Sequence, residues 1–444
     1  MEMSVVVKSL DSKSILVTGA TDFLAKLFVE KVLRTQPNVK KLYLLVRAQD
    51  AISAKKRVEK EVVSKELFSV LREKYGASFD LFFWSKVHVV QGDTTSENIG
   101  IRDVDLIEVL WREVDYIVNS AANTRFNERY DVALNANTLG PRNVILFAKK
   151  CVNLKMFLHV STAYVTKEKK GIIREKIDEF NQMLTPETEM ELIESKMKEM
   201  KNNCISESEI KIYMKELGLE STYKEPFPGW IEGIRTIDKA MVSYGKAGIL
   251  YFPAHLDAVI DVIPGDMVVN AMVAAMISRN YDTYDTKYSN TVIYHVGSSA
   301  KNIMRFNVIP ETCYKYFSMN PQSKKNGEFI AVQKPLFFPT LSLFCKFMFV
   351  RYKLPLKAFS LVAMMSFSKR LRRQSNKLNQ GYKSAMLMAK AYSHYSLMFG
   401  RFDDSNTEML RMKMNKKDKE LFYFEPDYIN WYQFMMEIHI PGNN

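Results

Sequence analysis

Short apolar runs alternate with stretches of helical spacing along the first third of the chain. Five runs, each about the length of one buried strand, lie at 15–17, 41–46, 86–91, 115–119 and 155–160. The residues between them carry apolar side chains three and four positions apart, as on one face of a helix. Strands and helices that alternate in this way predict an α/β fold with a doubly wound parallel sheet.

The pattern continues less regularly beyond this part. Its predicted elements are a strand at 259–263, a helix over 267–277 and a strand at 291–296. From Lys301 onward the chain becomes rich in Phe, Met, Leu, Lys and Arg at helical spacing. This change predicts two domains, one of residues 1–300 that contains the sheet and a helical one of residues 301–444.

A charge-rich insert at 167–220 interrupts the first domain. Thr185-Pro186 predicts the start of a helix within it, because proline is favoured at the first helical position. Apolar side chains then recur on one face of that helix, at Met190, Ile193, Met197 and Met200. We interpret this stripe as core packing rather than as a cofactor site.

Composition and charge narrow the classes of function. The four cysteines are scattered without a CxxC pair, and the six histidines show no metal-ligand spacing, so we expect neither a disulfide framework nor a metal. The N-terminal residues lack the apolar run of a secretory signal. The net charge of +13 fits anionic cofactors, phosphate-bearing acyl carriers or an anionic membrane. We expect no nucleic acid partner, because no RNP, zinc-finger or basic-region pattern accompanies the charge.

The most apolar segment, PLFFPTLSLFCKFMFV, occupies residues 335–350. It contains a lysine and two prolines, and it is too short and too interrupted to predict a membrane span. Arg351, Lys353 and Lys357 follow it as basic flanks. Two interpretations stay open: peripheral membrane contact through 335–357, or a buried helix of the second domain.

The segment ILVTGATDFLAKLFV at 15–29 predicts a strand, a tight turn and a helix. Its spacing, Gly19-x-x-Asp22-x-x-Ala25, matches a Rossmann dinucleotide loop except at the second glycine. Gly19 permits the dihedrals of the turn and the close approach of a phosphate, and the N–H groups of the helix face the ligand. We expect cofactor contacts from Thr18, Gly19, Thr21, Asp22, Phe23 and Leu24.

Asp22 puts a carboxylate beside the expected pyrophosphate. At about 5 Å and an effective dielectric constant near 20, its repulsion from one phosphate charge is roughly 3 kcal/mol, or about two decades in affinity. Weakened cofactor binding is the expected consequence.

Residues at successive strand ends extend this candidate site along one edge of the sheet. Arg47 follows the second strand, where an arginine can pair with the 2′-phosphate of NADP, so NADPH is the expected cofactor; the alternative is an ordinary surface arginine. Asp93 ends the third strand beside the expected adenine. Ala121 and Ala122 end the fourth and let a nicotinamide approach the backbone, and Asn137 lies on the next helix.

The fifth strand ends in HVSTAYV, which contains Ser161 and Thr162. A hydroxyl at this position can donate a hydrogen bond to a substrate carbonyl and stabilise the negative charge that develops there. We therefore predict Ser161 and Thr162 as catalytic residues.

These strings together resemble the plant-type alcohol-forming fatty acyl-CoA reductases of the extended short-chain dehydrogenase/reductase superfamily. The stretches that carry the resemblance are KLYLLVRA (41–48), NERYDVALNANTLG (127–140), KMFLHVSTAYV (155–165), STYKEPFPGWIEGIRTID (221–238), DVIPGDMVVNAM (261–272) and YFEPDYINWYQFMMEIHIPG (423–442). The resemblance implies NADPH-dependent reduction of a long-chain acyl-CoA to an aldehyde and then to a primary alcohol. It also implies a helical C-terminal domain and a location at the endoplasmic reticulum membrane; without it, a cytoplasmic location is expected.

The resembled enzymes carry a Tyr-x-x-x-Lys pair on one helix, whose lysine lowers the pKa of the tyrosine so that it can donate a proton. No tyrosine of this chain has a lysine four residues later, and at Tyr164 the lysine, Lys167, is three residues later. In the resembled family, a helix with this pair and a further parallel strand stand between the counterparts of Leu219 and Ser221. We therefore expect one helix and one strand of the sheet to be missing here.

Three hypotheses follow. The chain is an acyl-CoA reductase, a non-catalytic relative that binds nucleotide or lipid, or the product of a gene model with a skipped exon at the Glu220–Ser221 junction, in which case the natural protein is active. Ancestry favours the first hypothesis. Asp22 and the missing Tyr-x-x-x-Lys pair weigh against turnover by the chain as written.

Overall fold

The structure is a computed structural model. It describes residues 10–123, 128–165, 170–176, 186–202, 210, 236–246, 248, 250–278, 291–324, 326–366 and 368–442. Lys167 and the Glu220–Ser221 junction lie outside these residues.

A five-stranded parallel sheet forms the centre of the first domain, in the order β3-β2-β1-β4-β5. Its strands are β1 (Ser14–Thr18), β2 (Lys41–Val46), β3 (Val87–Gln91), β4 (Tyr116–Asn119) and β5 (Met156–His159). The order along the sheet reverses direction between β1 and β4, so a crevice opens at their carboxyl ends. The predicted doubly wound α/β fold is confirmed, and each predicted strand agrees to within one residue at either end.

Helices cover both faces of this sheet. In chain order the α-helices are α1 (Phe23–Thr35), α2 (Ala51–Val58), α3 (Ser69–Tyr75), α4 (Phe79–Lys86), α5 (Val104–Glu113), α6 (Tyr130–Leu134), α7 (Gly140–Ala148), α8 (Pro186–Asn202), α9 (Thr236–Gly245), α10 (Gly265–Ser278), α11 (Val308–Met319), α12 (Leu341–Met348), α13 (Leu354–Met365), α14 (Lys369–Ser396), α15 (Ser405–Lys413), α16 (Lys416–Leu421), α17 (Trp431–Gln433) and α18 (Ile440–Gly442). Val17 and Val118 share a core cluster with α1 and α10 on one face. Leu16 and Ile117 share a second cluster with α5 and α7 on the other, because successive strand residues point to opposite faces.

Among the residues that the structure describes, β5 is one of the two edge strands of the central sheet. Every residue of β1 and β4 is buried, whereas no residue of β5 is, and His159 is exposed. A strand inside a parallel sheet is normally buried on both faces. The open side of β5 therefore agrees with the predicted loss of one helix and one strand.

In the described part of the chain, three short strand pairs lie outside the central sheet. They join β6 (Gly171–Ile173) to β11 (Gly400–Phe402), β7 (Tyr251–Pro253) to β10 (Leu336–Phe338), and β8 (Val259–Ile260) to β9 (Met304–Arg305). Two predictions are corrected here. The strand predicted at 259–263 is only the two residues of β8, and the segment 291–296 forms no strand.

Side chains, rather than a neighbouring strand, satisfy the backbone of 291–296. The Asn406 amide donates to the carbonyl of Ile293 at 2.9 Å, and the Thr407 hydroxyl donates to that of His295 at 3.0 Å. The backbone N–H of His295 donates to the carboxylate of Glu175 at 2.6 Å. The apolar alternation of this segment reflects its packing, and strand propensity does not specify which groups pair with the backbone.

The charged insert contains α8, which begins at Pro186 as predicted. Ile193 and Met200 of this helix are buried in one cluster with Tyr130 and Ile210, and Met197 packs against them. The interpretation of the methionine stripe as core packing is therefore confirmed.

The residues from Val308 onward are mainly helical, which confirms the predicted helical C-terminal region. A turn of π-helix, Phe349–Lys353, joins α12 to α13. Phe344 and Met348 are buried on α12, whereas Phe349 and Val350 are exposed, so the apolar segment is buried on one side only. In the described parts of the chain, no helix is both long and apolar enough to cross a membrane. The domain boundary at 300/301 stays a prediction.

Candidate functional site

The loop between β1 and α1 is built around Gly19. This residue has a φ of +66°, and a Cβ on it would lie 2.8 Å from the backbone nitrogen of Ala121. Both features exclude a side chain, so the glycine lets the loop contact the end of β4. The carbonyl of Gly19 accepts a hydrogen bond from the N–H of Asp22 at 2.8 Å, which closes the turn. The turn thus joins the two strand ends that border the crevice.

Asp22 is the N-cap residue of α1, with a φ of −86° and a ψ of 163°. This extended conformation suits any residue, so the backbone does not need a glycine here. The side chain makes no capping hydrogen bond to α1, and the first turn of the helix contains no acidic residue. The departure from the glycine pattern is therefore one of charge and volume, at a helix end where a phosphate would accept N–H groups.

A chain of hydrogen bonds joins three strand ends beneath this loop. The Thr18 hydroxyl donates to the Asn119 side-chain carbonyl at 2.6 Å and accepts from the backbone N–H of Ala121 at 3.2 Å. The Asn119 amide nitrogen lies 3.0 Å from Nδ1 of His159. Thr18, Asn119 and His159 are in register on β1, β4 and β5, so their side chains share one face.

Sequence reasoning did not single out Asn119 or His159. One feature of the sequence could have indicated Asn119. It ends the apolar run DYIVN with a polar amide, and a buried amide needs a hydrogen-bond partner. Because the Asn119 amide donates to Nδ1, the neutral His159 ring carries its proton on Nε2.

Two arginines lie at the end of β2. Arg47 is exposed directly after the strand. Arg57 of α2 donates to the carbonyl of Arg47 at 3.0 Å and to the hydroxyl of Thr21 at 3.1 Å, and it pairs with Glu61 at 2.9 Å. Arg57 thus connects the β1 loop to the strand end where this fold binds the ribose of a dinucleotide. Sequence reasoning missed Arg57, because helical spacing does not reveal a contact with a distant loop.

The other predicted cofactor residues lie on the loops after β3 and β4. One carboxylate oxygen of Asp93 accepts from the N–H and the hydroxyl of Thr95, at 3.0 and 2.9 Å, so a tight turn orients this side chain. The Asn137 amide exchanges two hydrogen bonds with the backbone of Asn123, at 2.7 and 2.9 Å. In this arrangement Asn137 positions the loop that contains Ala121 and Ala122.

The apolar residues of the β1 loop are engaged in packing. Phe23 covers Gly265 at the start of α10, where a Cβ would lie 2.6 Å from the ring. Leu24 packs against the core on the same face of the sheet. A dinucleotide in the crevice would therefore meet their backbone N–H groups rather than their side chains.

The predicted catalytic hydroxyls directly follow β5. Ser161 is exposed and Thr162 is partly buried. The Thr162 oxygen accepts the backbone N–H of Tyr164 at 3.2 Å, and its own proton can be donated to a ligand. The Tyr164 hydroxyl bonds the backbone N–H and carbonyl of Asp261, both at 3.0 Å, and burial raises its pKa well above the usual range. Tyr164 therefore supports the fold and is not a proton donor at this site.

This geometry defines a class of protein. A crevice between β1 and β4, the N-terminus of α1 and two arginines at the ribose side fit a nicotinamide dinucleotide. Among the described residues, no group of three His, Cys, Asp or Glu side chains is arranged to hold a metal ion. The fold and the site are those of a Rossmann-type dinucleotide-binding protein with hydroxyl groups at the end of the fifth strand.

Family comparisons identify the lineage. An NAD-binding family model described as "Male sterility protein" matches residues 17–272, and the model "Sterile", with the same description, matches residues 351–444. The chain is 41% identical over 486 aligned positions to the Arabidopsis thaliana protein named Probable fatty acyl-CoA reductase 4, across 98% of this chain and 97% of that one. It is 40% identical over 489 positions to the Alcohol-forming fatty acyl-CoA reductase of Simmondsia chinensis, across 99% of this chain and 98% of that one. The chain belongs to the fatty acyl-CoA reductase family and carries a nicotinamide-dinucleotide-binding domain.

Solved structures agree on the fold. A reductase domain of a nonribosomal peptide synthetase from Mycobacterium tuberculosis superposes with a TM-score of 0.54 at 17% identity, across 99% of this chain and 94% of that one. The terminal R domain of the myxalamid pathway gives 0.52 at 16% identity, across 94% and 90%. These likenesses show a common architecture.

Proposed function

We propose that this protein reduces a long-chain fatty acyl-CoA to a primary alcohol, by way of the aldehyde, with NADPH as the reductant. The observation that carries the proposal is the sequence identity of 41% and 40%, over nearly the whole chain, to relatives whose names state fatty acyl-CoA reduction. The glycine cradle and the hydroxyl groups after β5 supply the two kinds of contact that this reaction needs.

The preference for NADPH rests on Arg47 and Arg57. Two guanidinium groups beside one strand end form a suitable site for a 2′-phosphate, because each presents several donors in a fixed plane. An acidic residue at the end of β2 would instead bind the ribose hydroxyls of NAD.

The reaction assigns Thr162 a clear role. A bound NADPH would supply hydride to the acyl carbon. Thr162 would donate its proton in a hydrogen bond to the acyl oxygen, since its own oxygen already accepts the N–H of Tyr164. Ser161, exposed beside it, offers a second hydroxyl. Hydrogen bonds of this kind stabilise developing negative charge, but a neutral hydroxyl is a weak acid, so final protonation would fall to water.

A second candidate function is binding without turnover. It is favoured by one specific observation: no tyrosine has a lysine four positions later, and Tyr164, whose lysine is three positions later, is hydrogen-bonded to the backbone of Asp261. Asp22 also favours this second candidate, because its carboxylate would repel a pyrophosphate bound at the N-terminus of α1.

A length difference bears on both candidates. The alignment with the Arabidopsis protein spans 486 positions and this chain has 444 residues, so at least 42 positions have no counterpart here. A strand and a crossover helix with their connections need roughly 30 residues. A skipped exon at the Glu220–Ser221 junction would remove such a unit, and the uninterrupted protein would then be the active form.

Two purified proteins test these alternatives. One is the chain as written, and the other carries the additional segment of the Arabidopsis relative inserted between Glu220 and Ser221. With a long-chain acyl-CoA and NADPH, we expect fatty alcohol from both, and about 10²- to 10⁴-fold more from the insertion variant, the usual contribution of a general acid. NADPH binding without any alcohol from the chain as written would establish the second candidate. Sequencing the mature transcript across the junction decides whether the gap is natural.

A further inference from the structure

The net charge of this chain is concentrated in one segment. Residues 329–402 contain 13 lysines and arginines and no aspartate or glutamate, so they alone account for the net charge of +13. The remaining 370 residues balance 50 basic side chains against 50 acidic ones. Solubility does not require such segregation, and a one-sided field of this kind attracts an anionic partner.

Helices α13 and α14 within this segment pack through small polar side chains. The hydroxyls of Ser360 and Ser375 lie 2.8 Å apart, and the Asn379 amide donates to Ser360 at 3.0 Å. Ala363 and Ser375 are the buried residues here. Leu356 and Phe359 of α13 are only partly buried, so the fully buried residues of this contact are small.

Five other large apolar residues of α13 are exposed. Leu361, Val362, Met364 and Met365 are 56%, 58%, 60% and 74% exposed, and Leu354 is 45% exposed. We call these five residues the apolar tip. Leu354, Leu361 and Met365 lie seven and four positions apart and so share one face of the helix, and an exposed apolar patch of this kind marks an interaction site.

Basic side chains border the apolar tip on both helices. The exposed ones include Lys353 directly before α13, Lys357 on α13, and Lys369, Arg370, Arg372 and Arg373 at the start of α14. Their aliphatic stems can lie along an apolar surface while the charged ends reach outward. An apolar surface with a basic border is typical of a segment that lies in the interface of a membrane.

We propose that the apolar tip docks into the surface of an anionic phospholipid membrane. Its leucine and methionine side chains enter the boundary between headgroups and acyl chains, and the basic border pairs with lipid phosphates. Charge complementarity selects this occupant over a second copy of the chain, because two acid-free segments of +13 would repel each other. The proposal moves the expected contact from 335–357 toward α13 and the start of α14. The endoplasmic reticulum as the particular membrane stays a prediction.

The test is flotation of the full chain with vesicles of phosphatidylcholine alone and of phosphatidylcholine with phosphatidylserine. We expect binding to the anionic vesicles only. The double variant Leu361→Gln/Met365→Gln and the quadruple variant Lys357→Gln/Lys369→Gln/Arg370→Gln/Arg373→Gln should each weaken it about tenfold or more. Matched controls remove exposed residues of the same kinds from the first domain: Ile52→Gln/Leu81→Gln, and Lys56→Gln/Lys60→Gln/Lys149→Gln/Lys198→Gln. Both controls should bind like the parent protein.

Circular dichroism and the thermal midpoint verify that each variant is folded. Equal binding to both kinds of vesicle, or equal losses in the variants and their controls, would overturn the proposal. Sedimentation at increasing protein concentration tests the other possible occupant of the apolar tip, a second copy of the chain. A dimer that the double variant abolishes, without any vesicle binding by the parent, would assign the apolar tip to a second copy and reject the membrane.

Discussion

Strands β4 and β5 are neighbours in one sheet, yet the first is buried along its whole length and the second nowhere. Around β1 and β4 the dinucleotide crevice has its glycine contact, its buried hydrogen bonds and its arginines. Around β5 the hydroxyls of Ser161 and Thr162 are present, but no tyrosine–lysine pair accompanies them in the sequence. The cofactor side of this site is built more completely than the catalytic side.

The difference teaches how a parallel sheet tolerates the loss of a unit. Each strand pair forms its own ladder, so β1 to β5 keep their register although no described strand covers β5. A missing unit would leave the side chains of the edge strand exposed and would remove the tyrosine–lysine pair that the resembled enzymes carry. The strands that identify the family can therefore fold without the helix and strand that the sequence predicts to be missing.

The largest expected effect concerns Gly19. Gly19→Ala combines a strained φ with a collision against the β4 loop, so we expect a loss of about 2–4 kcal/mol in the free energy of unfolding and no measurable dinucleotide binding. Gly76→Ala is the matched control, since its φ is +51° but nothing lies within 4 Å of the added Cβ. The strained backbone alone should cost it about 1–3 kcal/mol, without the collision. Urea unfolding measures the stability of both variants. Equal losses would show that the close approach to Ala121 adds nothing to the cost of the strained φ.

Asp22→Asn tests whether the cofactor side is itself impaired. The substitution keeps the shape of the side chain and removes its charge, so NADPH should bind up to about 100-fold more tightly. Fluorescence titration with NADPH gives the affinity. Asp105→Asn on α5 controls for the change in net charge. If the Asp22→Asn variant binds no better than the parent, the carboxylate is harmless and the cofactor side is unimpaired.

Glu175 probes the segment that follows β5. Burial raises the pKa of this carboxyl to about 7. Hydrogen bonds from His295, Asn406 and Thr407 favour the charged form and oppose this increase. A raised acid pKa means that the folded state binds more protons, so stability should fall by about 2 kcal/mol as the pH rises from about 4.5 to 7. Nearby Asp403 strengthens this trend, and burial keeps His295 neutral by lowering its pKa.

The variant Glu175→Gln has no charge to bury, so its free energy of unfolding should change less with pH over this range. Urea titrations of both proteins at pH 5, 6, 7 and 8 measure the two slopes. Parallel slopes would show that Glu175 does not titrate in this window, and the segment after β5 would then be as well satisfied as the cofactor side.

The smallest expected effect is the loss of one arginine. Arg47→Ala should weaken NADPH about tenfold and leave NADH unchanged, as expected for one charge-assisted contact to a 2′-phosphate. Arg102→Ala, an exposed arginine of the same domain, is the control. An equal loss for both dinucleotides would mean that Arg47 does not read the phosphate.

The positions of the strands could be predicted from the sequence better than the hydrogen-bond partners of the side chains. The apolar runs and the glycine loop predicted β1 to β5 because burial and turn geometry are local properties. The partners of Tyr164, Arg57 and Asn119 lie 97, 36 and 40 positions away, and no spacing rule reaches that far. The segment 291–296 was misassigned for the same reason, since its backbone pairs with side chains of α15 and Glu175.

The charge distribution has a further consequence, for motion rather than for binding. A positive segment of +13 attached to an electrically neutral remainder gives the molecule a large dipole moment. Within a Debye length of a charged surface, about 10 Å at 0.1 M salt, the field exerts a torque on such a dipole and turns it before contact. Collisions with a negative surface would then be mostly productive ones at low ionic strength, and added salt would slow arrival by randomising the angle of approach.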